Sequence, residues 1–285
     1  MDPITAALRE GFAFTLEVHG LCVLVLAVLY FSMLRDRAEN RISPLLSGLY
    51  LVCALVLLSD AAWEAVDFFG VRAPVLLYLP NLVYYISTAL GVALWLLFCA
   101  SEVSSRSAAR AEQRVALALP AIGFCMLVLS TPLNGWIFSF EDGAYVRGPL
   151  FALSAGLDLA YLIAGLYMAL RHARRAEFPW KRRHFLSFCL FPLPVTVLGV
   201  AQALTGYDFN CVGLTVGLAM LYCAGVSNFT REKSVMTEAV IASYDAAFRV
   251  DLAADTICNL RLTDRYFGSV AAGESSYRAW LRDSW

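Results

Sequence analysis

The stretch that decides the fold is residues 59–88, SDAAWEAVDFFGVRAPVLLYLPNLVYYIST, which join two long apolar segments. Asp60, Glu64 and Asp67 are spaced four and three residues apart, so they share one face of a helix. A carboxylate well inside a membrane helix costs about 3 kcal/mol on insertion scales, so it needs a partner, a cavity or a function. The stretch therefore predicts two membrane helices with a polar site between them.

The helix after the connection carries a matching polar face. Asn81, Tyr84, Tyr85 and Thr88 fall at positions i, i+3, i+4 and i+7. We interpret the faces of the two helices as the lining of a site that is open to the outside of the membrane.

Composition extends the membrane interpretation to most of the chain. The 285 residues are 60% hydrophobic and 16% charged, whereas a soluble domain is closer to half apolar and a quarter charged. Seven apolar segments occur, each long enough to cross a hydrocarbon core of about 30 Å. They predict an all-α protein, a seven-transmembrane-helix bundle whose first helix is retained, with helices at residues 11–34, 44–68, 75–99, 115–133, 149–170, 185–204 and 211–229.

The distribution of basic residues predicts the orientation. Fourteen arginines and lysines lie in the loops after the first, third and fifth segments and just after the seventh. Only Arg9, Arg72 and Arg147 lie on the opposite side. Because basic loops stay in the cytoplasm, the N-terminus is expected outside and the C-terminus inside, in the bacterial cytoplasmic (inner) membrane.

The richest of these inner loops follows the fifth segment, with the sequence RHARRAEFPWKRR. It can act simply as a topology determinant, or it can also contact anionic lipid headgroups. The residues predicted for that contact are Arg174, Arg175, Lys181, Arg182 and Arg183. Aromatic residues flank both membrane interfaces, with Trp136, Phe138 and Tyr145 outside and Trp180 inside, as in an aromatic belt.

Two prolines interrupt the sixth segment. Pro192 and Pro194 cannot donate backbone hydrogen bonds, so a kink or an unwound turn is expected there. The break is a candidate hinge, although such a kink can also be only a matter of shape.

After residue 229 the sequence becomes amphipathic and then β-like. Residues 230–243 are predicted to form a signalling helix that leaves the membrane, and residues 248–252 and 257–262 two strands around a turn. Residues 274–285 resemble the start of a helix. The tail from residue 244 to 285 is too short for a core of its own, so we expect an incomplete domain and a chain that is a fragment.

Polar residues within the predicted spans gather toward the outer face of the membrane. Glu17 and His19 are two residues apart, so they cannot both face inward on a regular helix. Either the set lines a cavity for a small ligand or cation from outside, or its members only pair with one another. The candidate residues are Glu17, His19, Asp60, Trp63, Glu64, Asn81, Tyr84, Tyr85, Asp158, Tyr161 and Gln202.

Several functions conflict with the sequence. The last segment has no lysine for a retinal Schiff base, and the motifs of G-protein-coupled receptors are missing. The cysteines lack metal-site spacing, so no metal or other cofactor is expected. A net charge of −1 gives no reason to expect nucleic acid binding, and no nucleophile and base are paired for catalysis. A small-solute transporter and a structural subunit stay open as alternatives, although the outward position of the polar groups and the lack of repeats favour sensing.

The membrane region resembles the N-terminal seven-helix input module of bacterial histidine kinases and GGDEF diguanylate cyclases. The similarity lies in SDAAWEAVDFF, PNLVYYISTALGVALWLLF, TPLNGWIFSFEDGAYVRGPL and FCLFPLPVTVLGVAQALTG, and covers most of residues 1–230. The tail SYDAAFRVDLAADTICNLRLTDRY is similar to the start of a PAS-like segment and favours a cyclase over a kinase. The resemblance implies a receptor whose stimulus reaches the outer ends of the helices and whose output domain lies outside this chain, since residues 1–285 contain no GGDEF or kinase motif. We also expect the protein to form a homodimer.

Overall fold

The computed structural model describes residues 3–37, 44–103, 107–176, 179–205, 209–224, 246–251, 256–262 and 275–276. The described part divides into two compact units, Met1–Val226 and Ser227–Trp285. The first unit is helical apart from one hairpin. Its helices are α1 Pro3–Arg37, α2 Pro44–Phe68, α3 Pro74–Val103, α4 Ser107–Asn134, α5 Phe151–Arg175, α6 Pro179–Phe188, α7 Pro192–Thr205 and α8 Asn210–Ala224.

Among the described residues, six helical segments are long and apolar enough to cross a membrane. Five of them fall within α1 to α5, and the sixth, Lys181–Gln202, combines parts of α6 and α7. Helix α8 is apolar but shorter than these, and residues 225–229 of the predicted seventh span lie outside the described residues. The predicted helical membrane fold is thus confirmed for six of its seven spans.

The surface of the helices is suited to lipid. Leu21, Leu24, Val28 and Phe31 all lie on α1 and are more than half exposed. Water would penalise an apolar surface of this extent, whereas lipid tails contact it without that cost.

Helix α3 is at the centre of the bundle, because it packs against α2, α4 and α5. Its Trp95 is completely buried and lies against Gly165 of α5. A Cβ atom at position 165 would be 2.2 Å from the Trp95 ring, so only glycine allows this approach. Ala169 and Ala173 continue the same buried face of α5, in keeping with the small residues that bring membrane helices close together.

The expected interruption of the sixth segment lies between α6 and α7. Helix α6 ends at Phe188 and α7 begins at Pro192, with a turn between them. Gly217 of α8 packs directly against this turn, because a Cβ atom there would be 2.7 Å from the carbonyl oxygen of Phe191. One turn earlier, Gly213 lies similarly close to the carbonyl of Pro194. The predicted break at the prolines is confirmed, and the backbone of α8 fills the space beside it. The role of Pro192 and Pro194 as a hinge stays a prediction.

A short hairpin connects α4 to α5 and was not predicted. Its strands are β1 Phe138–Glu141 and β2 Ala144–Arg147, paired antiparallel. Asp142 and Gly143 form the two-residue turn with φ values of 51° and 79°, the positive values that the usual two-residue hairpin turns need. Phe138, the first residue of β1, is fully buried. It is therefore a core residue and does not contribute to the predicted aromatic belt.

The second unit contains a three-stranded antiparallel sheet in the order β3–β4–β5, with β3 at Ala246–Asp251, β4 at Thr256–Leu262 and β5 at Ser275–Ser276. The first two strands agree closely with the predicted ones. The predicted helix start was wrong at Ser275–Ser276, which pair with β4 as a strand. Residues 230–243, predicted as the signalling helix, lie outside the described residues.

Candidate functional site

A cavity of about 160 Å³ lies between α3, α4 and α5. Four aromatic rings line it, from Tyr84 and Tyr85 of α3, Phe124 of α4 and Phe151 of α5. These residues lie toward the ends of the helices that adjoin the hairpin. The cavity therefore opens in the part of the bundle that the sequence assigns to the outer half of the membrane.

The polar lining of the cavity consists of two pairs, each spaced one helical turn apart. Helix α3 provides Thr88 beside Tyr84, and α5 provides Ser154 and Asp158. Thr88 Oγ1 donates to the Tyr84 carbonyl at 2.9 Å, and Ser154 Oγ donates to the Phe151 carbonyl at 2.8 Å. Since each hydroxyl hydrogen is already used, both oxygens are left to act as acceptors.

The hairpin supports two walls of this cavity. The hydroxyl groups of Tyr145 and Tyr85 are hydrogen-bonded at 2.6 Å, and Phe138 stacks on the Tyr85 ring with centroids 5.5 Å apart. The guanidinium of Arg147 lies 4.6 Å from the centroid of Phe151. The hairpin thus positions residues of both α3 and α5.

Tyr145 lies in the connection outside the membrane helices and has a perturbed phenol. Burial raises its pKa above the ordinary value, and this effect outweighs the lowering by the Tyr85 hydrogen bond and by the Arg147 charge. The phenol therefore stays protonated at neutral pH, and either of the two hydroxyl groups can be the donor of the bond between Tyr145 and Tyr85.

A second polar centre joins α1 to α2. His19 is buried, and its Nε2 lies 3.3 Å from Oδ2 of Asp60. Its Nδ1 lies 2.9 Å from the carbonyl oxygen of Thr15, which can only accept. Both ring nitrogens therefore lie within hydrogen-bonding distance of an oxygen atom, one on the same helix and one on α2.

The other residues of α1 to α3 that were predicted to bind a ligand do not line the cavity among the described residues. Glu17 is exposed, as expected from its two-residue spacing from His19. Trp63 packs beside the hairpin, 5.5 Å from the ring of Phe140, and Glu64 is half-buried on the same helix. Asn81 is buried and donates to the carbonyl of Leu77. This bond satisfies one of its two amide hydrogens within its own helix.

Tyr161 and Gln202 have structural partners. The Tyr161 hydroxyl donates to the carbonyl of Leu117 and also accepts the backbone N–H of Ala121, which joins α5 to α4. The Gln202 side-chain oxygen accepts the backbone N–H of Asn210 at 2.9 Å, at the start of α8. The Asn210 amide in turn donates to the Tyr84 hydroxyl at 3.4 Å, so this chain of contacts reaches the cavity.

The structure brings together only some of the predicted site residues. Tyr84, Tyr85 and Asp158 share the cavity, and His19 and Asp60 form the separate pair. Among the described residues that line the cavity, none comes from α1 or α2. Sequence reasoning missed Phe124 and Phe151, since an aromatic residue in a membrane helix carries no signal that separates a cavity wall from a lipid contact.

The residues predicted to contact lipid headgroups are grouped near the junction of α5 and α6. Arg174 and Arg175 end α5, and the other three lie in the first turns of α6. All five side chains are exposed. Their exposure leaves them accessible to a lipid surface, and the contact itself stays a prediction.

Six apolar helical segments of this length define a multi-pass membrane protein. A family model described as the N-terminal 7TM region of histidine kinase matches residues 14–229, well over half of the chain. The chain therefore belongs to this family of membrane sensory input modules. Among curated proteins, no match was found.

Proposed function

We propose that this chain detects a small ligand or cation at the outer face of the bacterial inner membrane and passes the signal to a cytoplasmic output domain. The observation that carries the proposal is the cavity between α3, α4 and α5, which joins a carboxylate, hydroxyl acceptors and aromatic walls at one end of the bundle. Apolar pockets with a few convergent polar groups are the usual form of ligand sites.

The orientation and the number of spans belong to the same proposal. The excess of arginine and lysine in alternate loops supports an outer N-terminus and a cytoplasmic C-terminus. With those ends on opposite sides, the number of crossings is odd, and the apolar segment at residues 211–229 of the sequence would be the seventh. Reporter fusions at Gly70 and at Arg175 test the orientation. The proposal expects an extracytoplasmic signal from the fusion at Gly70 and a cytoplasmic signal from the fusion at Arg175.

For the output domain we propose a histidine kinase, because the family description refers to kinases. A diguanylate cyclase is the second candidate, because β3 and β4 fall where a PAS-like segment was predicted. Either output is regulated most simply in a homodimer, in which a change of helix packing alters the distance between two output domains. A stimulus can drive that change only if it binds the two packings with different affinity.

The decisive experiment measures output in the protein expressed with whatever output domain its gene encodes. Asp60→Asn and Glu64→Gln together, and Asp158→Asn separately, should reduce the response to the stimulus. Asp67→Asn is the matched control, because Asp67 is an exposed carboxylate on α2. An unchanged response in both test variants would remove these carboxylates from the sensing site, and solute uptake by reconstituted vesicles would favour a transporter instead.

A further inference from the structure

We propose that the cavity between α3, α4 and α5 binds a small organic ammonium ion, with its nitrogen against Asp158 and its carbon atoms against the aromatic walls. The inference rests on the proposed function for its biological meaning, and it deepens that function by naming the class of ligand. Binding itself can be tested without any output domain.

The charge of the lining favours a cation. Asp158 makes no hydrogen bond or ion pair with any residue that the structure describes. None of the described residues that line the cavity is Arg, Lys or His. The nearby cation Arg147 is on the hairpin, over the ring of Phe151. A carboxylate away from bulk water is stabilised most strongly by an opposite charge, and a cationic ligand would supply one that the described lining residues do not.

The remaining polar groups favour a cation that donates hydrogen bonds. The hydroxyl hydrogens of Thr88 and Ser154 are committed to carbonyl oxygens of their own helices. Both hydroxyls therefore offer lone pairs to the cavity, as the Asp158 carboxylate does. A primary ammonium group has up to three N–H donors for these acceptors, whereas a carboxylate or phosphate ligand would find few donors.

The aromatic rings favour an organic cation. Tyr84 and Tyr85 meet at an interplanar angle of 89°, and Tyr85 and Phe151 meet at 88°. Rings at right angles form the corner of a box, and such aromatic boxes are a recurrent way to enclose ammonium groups. The carbon atoms of the ligand would also be shielded from water by the same rings.

The number of oxygen ligands and the volume of the cavity both argue against a bare metal ion such as calcium. A calcium ion needs about six to eight oxygen ligands, and the cavity offers one carboxylate and a few hydroxyl groups among its described lining residues. Its volume of about 160 Å³ is close to the roughly 150 Å³ of an engineered cavity that holds benzene. A ligand of about that size, extended by an ammonium group, fits the space.

The test uses purified protein in lipid nanodiscs, with isothermal titration by benzylammonium and by benzyl alcohol, its neutral counterpart of similar shape. We expect saturable binding of benzylammonium, and at least about tenfold weaker binding of the alcohol. Asp158→Asn should weaken benzylammonium binding by about tenfold or more. Glu112→Gln is the matched control, because it removes an exposed carboxylate of α4, and it should bind as the wild type does.

Three results would overturn the inference. They are equal binding of the ion and the alcohol, unchanged binding in Asp158→Asn, and no saturable binding beyond that of empty nanodiscs. The comparison of the two probes on the wild type needs no variant. It therefore tests the preference for an ammonium ion even if Asp158→Asn misfolds. Because output is not measured, a negative result rejects the ligand class alone, whereas intact binding without any signalling would count against the proposed function.

Discussion

The contact between Gly165 and Trp95 gives a quantitative prediction about the packing of α3 on α5. In Gly165→Ala the new Cβ would lie 2.2 Å from the indole ring, whereas ordinary contacts begin near 3.4 Å. The ring would have to retreat by about 1.2 Å, but Trp95 is completely buried and packed against Phe191. Overpacking of this kind costs about 1–3 kcal/mol.

Gly156 on the same helix provides the matched control. A Cβ atom there meets no other atom within 4 Å, so Gly156→Ala should gain only the helix propensity of alanine, about 1 kcal/mol. Gly165→Ala has the same gain in helix propensity, but it is also destabilised by overpacking against Trp95. The free energies of unfolding of the two variants should therefore differ by about 1–3 kcal/mol, with Gly165→Ala the less stable.

Reversible unfolding in mixed micelles measures this difference, and Trp95→Phe tests its cause. The Trp95 indole N–H has no hydrogen-bond partner among the described residues, so phenylalanine removes ring volume without breaking a hydrogen bond. In the Gly165→Ala/Trp95→Phe variant the two changes should compensate by at least about 1 kcal/mol. Equal stability of Gly165→Ala and Gly156→Ala would refute the proposed contact.

Further predictions concern the hairpin and the pair between α1 and α2. Tyr145→Phe removes the hydrogen bond to Tyr85 and should lower the free energy of unfolding by about 1 kcal/mol; an unchanged thermal midpoint would contradict this. Because burial raises the pKa of Tyr145, the wild-type minus Tyr145→Phe absorbance titration should show phenolate forming above pH 10. The stability that this shift contributes is fully present below about pH 10 and is lost as the pH rises through the folded-state pKa. Asp60→Asn weakens the buried contact with His19 and should cost about 1–3 kcal/mol in chemical unfolding, whereas the exposed control Asp67→Asn should change stability by less than about 0.5 kcal/mol.

The sequence was a good guide wherever a signal is local. The bounds predicted for the second span, residues 44–68, coincide with α2, because long apolar runs and proline boundaries are read directly from the chain. Strands β3 and β4 followed from alternation, and the break before Pro192 from the absence of a backbone donor. The hairpin was missed even though Asp142–Gly143 is a typical two-residue turn, because its strands are only four residues long.

The candidate site depended on contacts that spacing alone does not reveal. Periodicity excluded a common orientation for His19 and Glu17 without deciding which of them faces inward, and it did not indicate that His19 would meet Asp60, 41 residues later. It also grouped the α2 carboxylates with the α3 tyrosines, whereas Tyr84 and Tyr85 share their cavity with Asp158. Complementary side-chain volumes, such as those of Trp95 and Gly165, decide which faces of two helices pack together. The periodicity of a single sequence does not reveal this complementarity.

The contact of Gly217 with the Phe191 carbonyl limits how α8 can move. If α8 turned about its own axis, the side chain of Leu218 or Val216 would be driven into that oxygen, where only a hydrogen atom fits. The Tyr50 hydroxyl, which donates to the Leu218 carbonyl at 2.7 Å, ties the same helix to α2. Rotation about its own axis is thereby disfavoured for α8, the last described helix of the first unit.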